Sequence, residues 1–255
     1  QTEQIVESSL YTTLIEGGII KINSPDDSIH TNSGTTFIDG GQIQISTLDD
    51  GIHADLNLII NNGDIDIETC FEGLEAQTIE IKGGNTKIIS DDDDGINAAG
   101  NKESQLLFSG GKTYVYAKGD GLDSNGNLVI NDGEIYVLQN GRGDGQIDSE
   151  RDIIINGGKL VAVGANGMTE IPSSSSKQCV IVRQIASTSD DLKSKKTNSD
   201  EILLNFEISS IFGVKLSYSI VTVSSSSIKM CRSYDIVTGS SFNSLVTSGS
   251  STVTS

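Results

Sequence analysis

Acidic side chains recur in this sequence at a spacing that would let several of them bind one cation. The densest group is SDDDDGINAAG, from Ser90 to Gly100. An acidic residue also stands at the same place in six similar turns, directly before glycine in five of them. Carboxylate oxygens are the ligands that Ca²⁺ prefers. The six turn residues are Asp27, Asp50, Glu72, Asp94, Asp120 and Asp144.

A column of such carboxylates is unfavourable unless a counter-charge is bound. Equivalent positions in stacked strands lie about 4.8 Å apart. At about 5 Å and an effective dielectric constant near 20, each adjacent pair costs about 3 kcal/mol. No basic column accompanies the acids, which favours bound calcium over the alternative of a solvated acidic face. The predicted calcium ligands are Asp26, Asp27, Asp49, Asp50, Glu72, Asp92, Asp93, Asp94 and Asp120.

A second column lies three residues after the acidic one, and we predict that it contributes to ligand binding. Its predicted ligand-binding residues are His30, His53, Glu75, Asn97 and Asp123, and Asp148 continues the column after a one-residue insertion. The two histidines are neighbours in this column, and their imidazole nitrogens suit a transition metal. A histidine pair beside a sugar-binding cleft is the equal alternative.

These residues are positioned by a repeat of about 22 residues. A short apolar run, a turn ending in glycine and an alternating apolar run recur seven times, as in TFIDGGQIQI from Thr36 and LVINDGEIYV from Leu128. The turn glycines stand at 18, 41, 63, 84, 111, 133 and 158. Three short strands per repeat predict an all-β fold, a right-handed parallel β-helix of about seven coils. We assign residues 1–176 to this solenoid.

One column of apolar residues is predicted to line the interior of the solenoid. Because alternate residues of a strand point to opposite faces, the residue after each acidic turn is expected to point inward. The turn glycines are expected to adopt positive φ, which glycine tolerates without steric cost. The predicted interior column is Ile29, Ile52, Leu74, Ile96 and Leu122.

The charge of the chain limits its partners. Residues 1–170 contain 29 Asp and Glu against 9 Lys and Arg, and the formal net charge of the chain is −18. This balance argues against nucleic acid as a partner. No apolar run is long enough for insertion into a membrane.

The last part of the chain, residues 177–255, lacks both repeated phrases and predicts a smaller antiparallel β element with a Ser/Thr-rich tail. Alternation in EILLNFEIS and VKLSYSIVTV predicts strands that cover one face or end of the solenoid, with residues 189–200 as an exposed loop. This segment could also join copies of the chain into a homo-oligomer or filament. Of the three cysteines, Cys179 and Cys231 are the plausible disulfide pair, because both fall in this part of the chain. The sequence leaves the pairing of Cys70, Cys179 and Cys231 open.

Several phrases together resemble a known family. They include DDGIHADLNLIINNGDIDI from Asp49, GDGLDSNGNLVINDGEIYV from Gly119 and LVAVGANGMTEIPSSSS from Leu160. These are similar to secreted bacterial carbohydrate-binding proteins with a pectate-lyase-like β-helix, over about residues 14–180. The resemblance implies an extracellular, calcium-containing protein that binds cellulose-like and acidic polysaccharides without established cleavage.

Three classes of function follow. The first is calcium-dependent, non-catalytic binding of cellulose-like or acidic (uronate) polysaccharides, with Tyr114, Tyr116 and Tyr136 either stacking on sugars or packing between strands. The second is a structural surface or filament-forming solenoid, which self-association would distinguish. The third is a polysaccharide lyase, which needs a basic residue beside the calcium.

The sequence offers few candidates for that base. Arg142 and Arg151 fall in the last full coil, far from Asp91 to Asp94. Lys118 is the best candidate, although a lysine beside an acidic site is more often an ion-pair partner. The sequence therefore favours a protein without catalytic residues.

Overall fold

The protein is an all-β solenoid followed by a short antiparallel segment. The computed structural model describes residues 11–141, 143–165, 167, 168, 170–188, 192–196, 202–206, 211, 212, 218–228, 234–238 and 252–254. Within these ranges, no helix has the length and apolar character needed to cross a membrane.

Strands account for most of the described residues. They are β1 (Tyr11–Ile15), β2 (Ile19–Ser24), β3 (Ile29–Thr31), β4 (Gly34–Ile38), β5 (Gln42–Thr47), β6 (Ile52–Ile60), β7 (Asp64–Cys70), β8 (Leu74–Ile81), β9 (Asn85–Ser90), β10 (Ile96–Ala98), β11 (Gln105–Ala117), β12 (Leu122–Ser124), β13 (Asn127–Gln139), β14 (Ile153–Ile155), β15 (Lys159–Gly164), β16 (Val180–Thr188), β17 (Leu192–Lys196), β18 (Ile202–Phe206), β19 (Tyr218–Ser225), β20 (Tyr234–Thr238) and β21 (Thr252–Thr254).

The first fifteen strands form three parallel ladders, so that each coil contributes to all three. The first ladder joins β3, β6, β8, β10 and β12. The second runs from β1 through β4, β6, β8, β11 and β13 to β14. The third runs from β2 through β5, β7, β9, β11 and β13 to β15. The prediction of a parallel β-solenoid of about seven coils is thus confirmed.

The predicted interior column is also confirmed. Its five residues pair in register along the first ladder and are 0–9% exposed. Ile147 extends the column through a parallel bridge to Leu122. Stacking like residues at this spacing gives each apolar side chain an apolar neighbour in the next coil, which stabilises the repeat.

Glycine shapes the turns between the second and third ladders. All seven turn glycines predicted to have positive φ do so, from +72° at Gly158 to +125° at Gly63. The turns stack through backbone hydrogen bonds, such as the one from the Asp64 amide to the Gly41 carbonyl at 2.8 Å. Each coil therefore repeats the turn of the coil before it.

The last coil is covered by antiparallel strands. Strand β19 pairs with β15 and with β16, and β16 also pairs with β21. Aromatic residues of this segment, Phe206, Phe212 and Tyr218, form a second apolar cluster with Tyr116 and Tyr136 of the third ladder. The expectation of antiparallel strands that cover the solenoid is confirmed, whereas the boundary at residue 176 stays a prediction.

The prediction of an exposed loop over residues 189–200 is wrong for the centre of that range. Residues 192–196 form β17, the middle strand of a three-stranded sheet between β18 and β20. The polar sequence LKSKK has weak intrinsic β preference, but pairing on both sides supplies the backbone hydrogen bonds that decide strand formation. The rest of this range, and Cys231, lie outside the described residues. Neither Cys70 nor Cys179 forms a disulfide with another described residue.

Candidate functional sites

The acidic turns align along one edge of the solenoid, between the third and first ladders; we call it the acidic edge. The glycine after each acid lets the backbone approach the next coil closely. A Cβ on Gly73, for example, would overlap the Gly95 carbonyl and the Ile88 side chain. In the first coil Ser28 replaces glycine, and its hydroxyl is buried without a hydrogen-bond partner among the described residues.

Backbone amides offset part of the repulsion between the acids. The Asp27 carboxylate accepts a hydrogen bond from the Asp50 amide at 3.2 Å, and Asp50 accepts one from the Glu72 amide at 3.3 Å. Further along, Asp94 accepts from the Asp120 amide at 2.6 Å, and Asp120 accepts from the next coil in turn. Each of these four carboxylates is thus held against the following turn.

The later coils form an all-oxygen cluster. Carboxylate oxygens of Asp120, Asp123 and Asp148 lie within 4.8 Å of one another. Among the described residues, no ion pair joins any of the three to lysine or arginine. Burial raises the pKa of Asp120 to about 7, with Asp148 and Asp123 adding to the shift against the opposing hydrogen bond from Gly145. Burial also raises the pKa of Asp123 to about 6 and of Asp94 to about 8. Such carboxylates favour a bound proton or cation.

The early coils form a mixed imidazole and carboxylate cluster. His30 and His53 pair in register and their rings stack, with centroids 4.5 Å apart and planes 8° from parallel. His53 Nδ1 lies 3.0 Å from Glu75 Oε2 and 3.4 Å from Asp50 Oδ2. The hydrogen bond to Asp50 raises the pKa of His53 to about 9, in spite of burial. Burial opposes ionisation of Asp50, but His53 lowers its pKa overall.

The structure divides the predicted calcium ligands among several groups. Asp26, Asp27 and Asp49 bring carboxylate oxygens within 4.8 Å, but they stand apart from the later cluster. Asn97 donates to both Glu72 oxygens, at 3.1 and 3.3 Å. Asp92 is exposed, and neither it nor Asp93 belongs to a metal-sized group of described residues.

Acidic residues outside the predicted set of calcium ligands also contribute to these clusters. Asp148 completes the later cluster, and Glu170 accepts a hydrogen bond from the Ser149 amide at 3.2 Å beside it. Asp55 faces both histidines. The repeat places Asp148 in the second column after a one-residue insertion, although not among the predicted calcium ligands, and no sequence signal indicates Asp55 or Glu170.

A second surface is an open groove of about 530 Å³ along the outer face of the third ladder. It crosses β2, β5, β7, β9 and β11. Its charged residues are Lys21, Lys87, Lys112, Asp64 and Asp66, and Gln42, Gln44, Asn85 and Tyr114 also line it.

Lysine and tyrosine are held together at the later end of this groove. Lys112 Nζ lies 5.2 Å from the centroid of the Tyr114 ring, within the range of a cation–π contact. The Tyr114 ring stacks on Tyr136 at 5.1 Å. Tyr116 and Tyr136 are buried under the C-terminal segment, as expected for strand packing, so Tyr114 is the tyrosine that lines the groove.

The sequence contains a signal for this groove. The third residue after each turn glycine points outward, and these residues include Lys21, Gln44, Asp66, Lys87 and Tyr114. Aligning the repeats at this position shows polar or aromatic residues in the first six coils and Val161 in the seventh. The residue type changes from coil to coil, so the column does not stand out as the acidic one does.

Fold and surfaces together define a class: a β-solenoid with an acidic edge and an open groove along its strands. A family model described as "Carbohydrate-binding domain-containing protein" matches the chain over residues 10–137 and again over residues 47–255. The chain therefore belongs to this carbohydrate-binding family. No curated protein and no solved structure matches it.

Proposed function

We propose that this protein is a non-catalytic polysaccharide-binding protein that holds an acidic glycan in the groove and binds calcium at the acidic edge. The charge of the groove carries this proposal. Its lining has three lysines (Lys21, Lys87 and Lys112) against two aspartates, in a chain with a net charge of −18. A uronate chain is repelled by most of the solenoid and attracted to this surface.

The shape and chemistry of the groove also suit a sugar chain. Five strands at a spacing of about 4.8 Å extend over about 19 Å, enough for several sugar units. The side-chain amides of Gln42, Gln44 and Asn85 can bond to sugar hydroxyls. The Tyr114 ring offers an apolar face for a sugar ring.

The acidic edge has the ligands that calcium requires. Calcium takes six to eight oxygens in irregular geometry. Asp120, Asp123 and Asp148 offer carboxylate oxygens close together, and burial favours their neutralisation. Among the described residues, Asn97 Oδ1 is buried without a hydrogen-bond partner, which makes it a further oxygen donor on the same edge. Water or a uronate carboxylate would complete the shell.

An extracellular location belongs to the same proposal. Calcium sites in extracellular modules have dissociation constants of about 10⁻⁴ to 10⁻³ M. Sites assembled from half-buried side chains on neighbouring turns fit this low-affinity class and would be filled only where calcium is abundant.

The contacts of the basic residues support binding rather than cleavage. Lys118 Nζ lies 3.8 Å from Asp91 Oδ1, in the ion pair expected of a lysine at this position. Arg151 donates to the Lys102 carbonyl at 3.1 Å. Arg142 lies outside the described residues. The pairing of β15 with β19 also covers the edge through which one solenoid could stack on another.

Titration calorimetry with oligogalacturonate tests the glycan site. The double variant Lys87→Gln, Lys112→Gln removes two partly exposed charge contacts, each worth about 0.2–1 kcal/mol, and should weaken binding about twofold to thirtyfold. Lys102→Gln makes the same chemical change at an exposed position outside the groove and should bind as the wild type does.

Two results would contradict this assignment. Unchanged affinity in the double variant, with complete loss of binding on chelation, would place the glycan at the acidic edge. Equal binding of a neutral cello-oligosaccharide by the wild type and the double variant, with no binding of oligogalacturonate, would refute the charge argument.

A further inference from the structure

The two ends of the acidic edge differ in ligand chemistry. The later cluster offers only oxygen atoms, whereas the earlier cluster surrounds an imidazole with carboxylates. Oxygen ligands suit calcium. Imidazole nitrogen suits zinc, copper, nickel and iron, which calcium sites do not select. One edge therefore carries two sets of ligands with different metal preferences.

The distances around His53 fit three corners of a tetrahedral metal site. Its Nδ1 atom lies 3.0 Å from Glu75 Oε2 and 3.4 Å from Asp50 Oδ2, and these three residues bring ligand atoms within 4.8 Å of one another. Metal–ligand bonds of about 2.0–2.1 Å give a separation of about 3.3 Å between ligand atoms in a tetrahedron. Asp50 and Glu75 come from successive coils, so the solenoid itself sets this spacing.

His30 and Asp55 hold the His53 ring in place. The His30 ring stacks on it, and His30 Nδ1 lies 2.6 Å from Asp27 Oδ2, at hydrogen-bond distance. On the opposite edge, His53 Nε2 lies 3.7 Å from Asp55 Oδ1, a gap that one water or a small rotation closes. The other Asp55 oxygen accepts the Ser33 amide at 2.6 Å. A carboxylate beyond the second ring nitrogen is the usual support of a metal-bound histidine.

We propose that His53, Asp50 and Glu75 bind a divalent transition-metal ion of the zinc type, with water in the fourth position, at a site separate from calcium. Asp27, His30 and Asp55 are positioning residues. The competing explanation is that the imidazole serves only as a counter-ion to the surrounding carboxylates. This inference is independent of the proposed glycan binding.

Calorimetric titration of the full chain with Zn²⁺, at pH 7.5 and saturating Ca²⁺, tests the site. We expect one zinc ion per chain with calcium still bound. His53→Gln should weaken zinc binding at least 100-fold, whereas His30→Gln, which keeps all three protein ligands, should weaken it less than tenfold. Co²⁺ in place of zinc should give the intense visible absorption of a tetrahedral ion.

The outcomes separate a metal site from a structural histidine. Retained calcium binding and an unchanged circular dichroism spectrum show that His53→Gln folds. No zinc binding by the wild type would show that His53 is only a counter-ion and would overturn the proposal. The proposal would also be overturned if His53→Gln left zinc binding unchanged, or if each zinc ion that bound released one calcium ion.

Discussion

The substitution Asp120→Asn should stabilise the calcium-free protein and reduce the further stabilisation that calcium provides. Asparagine keeps an oxygen that can accept the Gly145 amide but removes a charge from the cluster with Asp123 and Asp148. At separations of 4.8 Å or less, each ionised pair costs about 3 kcal/mol at an effective dielectric constant of 20. Partial exposure and salt reduce the net relief to about 1–2 kcal/mol.

That relief should be visible in thermal unfolding. For a chain of this size about 1 kcal/mol shifts Tm by about 2–4 °C. In chelator at pH 8, where the wild-type cluster is largely ionised, Asp120→Asn should therefore raise Tm by about 2–8 °C. Asp91→Asn, an exposed acid paired with Lys118, should leave Tm nearly unchanged.

Calcium should cancel most of this difference between the two proteins. At 100 times the wild-type Kd, binding adds about 2.7 kcal/mol, or about 5–10 °C. A tenfold weaker site in Asp120→Asn would gain only about 1.4 kcal/mol at that concentration. Differential scanning calorimetry measures both increments. A lower Tm for Asp120→Asn in chelator, or an undiminished calcium increment, would refute this account of the acidic edge.

Three further predictions concern pH, a turn glycine and a cysteine. Because burial raises the pKa of Asp94 to about 8 and that of Asp120 to about 7, the folded chain holds protons that the unfolded chain has released. In chelator, the free energy of unfolding measured by urea titration should therefore fall as the pH rises from about 4 to 8. An increase over this pH range would contradict the prediction. Gly73→Ala would force a Cβ into Ile88 and should cost more than about 2 kcal/mol by urea unfolding, whereas a loss under about 0.5 kcal/mol would show that the coils can separate. Cys70 is buried, and burial raises its pKa to about 12, so its thiol should react with a disulfide reagent only after unfolding; rapid labelling of the native Cys70 would count against the packed interior.

The sequence could predict the solenoid because stacking turns one coil into a template for the next. The column from Ile29 to Leu122 and the glycines at the turns repeat with the coil, so their burial and φ follow from the period. Strand β17 could not be predicted in this way. Its pairing with β18 and β20 joins distant parts of the chain, and LKSKK carries no apolar alternation.

The candidate sites were predictable only in part. Repetition placed Asp94 and Asp120 on one edge, but it could not show which carboxylates approach closely, because that depends on side-chain direction at each turn. Asp55 faces His53 from beyond the repeated positions, so no period indicates it. The groove combines Lys112 and Tyr114 with different residues of earlier coils, and only the register of the third ladder brings them together.

A crystal structure grown with millimolar calcium and a galacturonate oligosaccharide is the most direct test of the central claim. The account predicts sugar density along the third ladder, with a ring over Tyr114 and carboxylates near Lys87 and Lys112. It also predicts an ion bound by Asp120, Asp123 and Asp148. An oligosaccharide bound elsewhere on the solenoid, with the groove open to solvent, would contradict it.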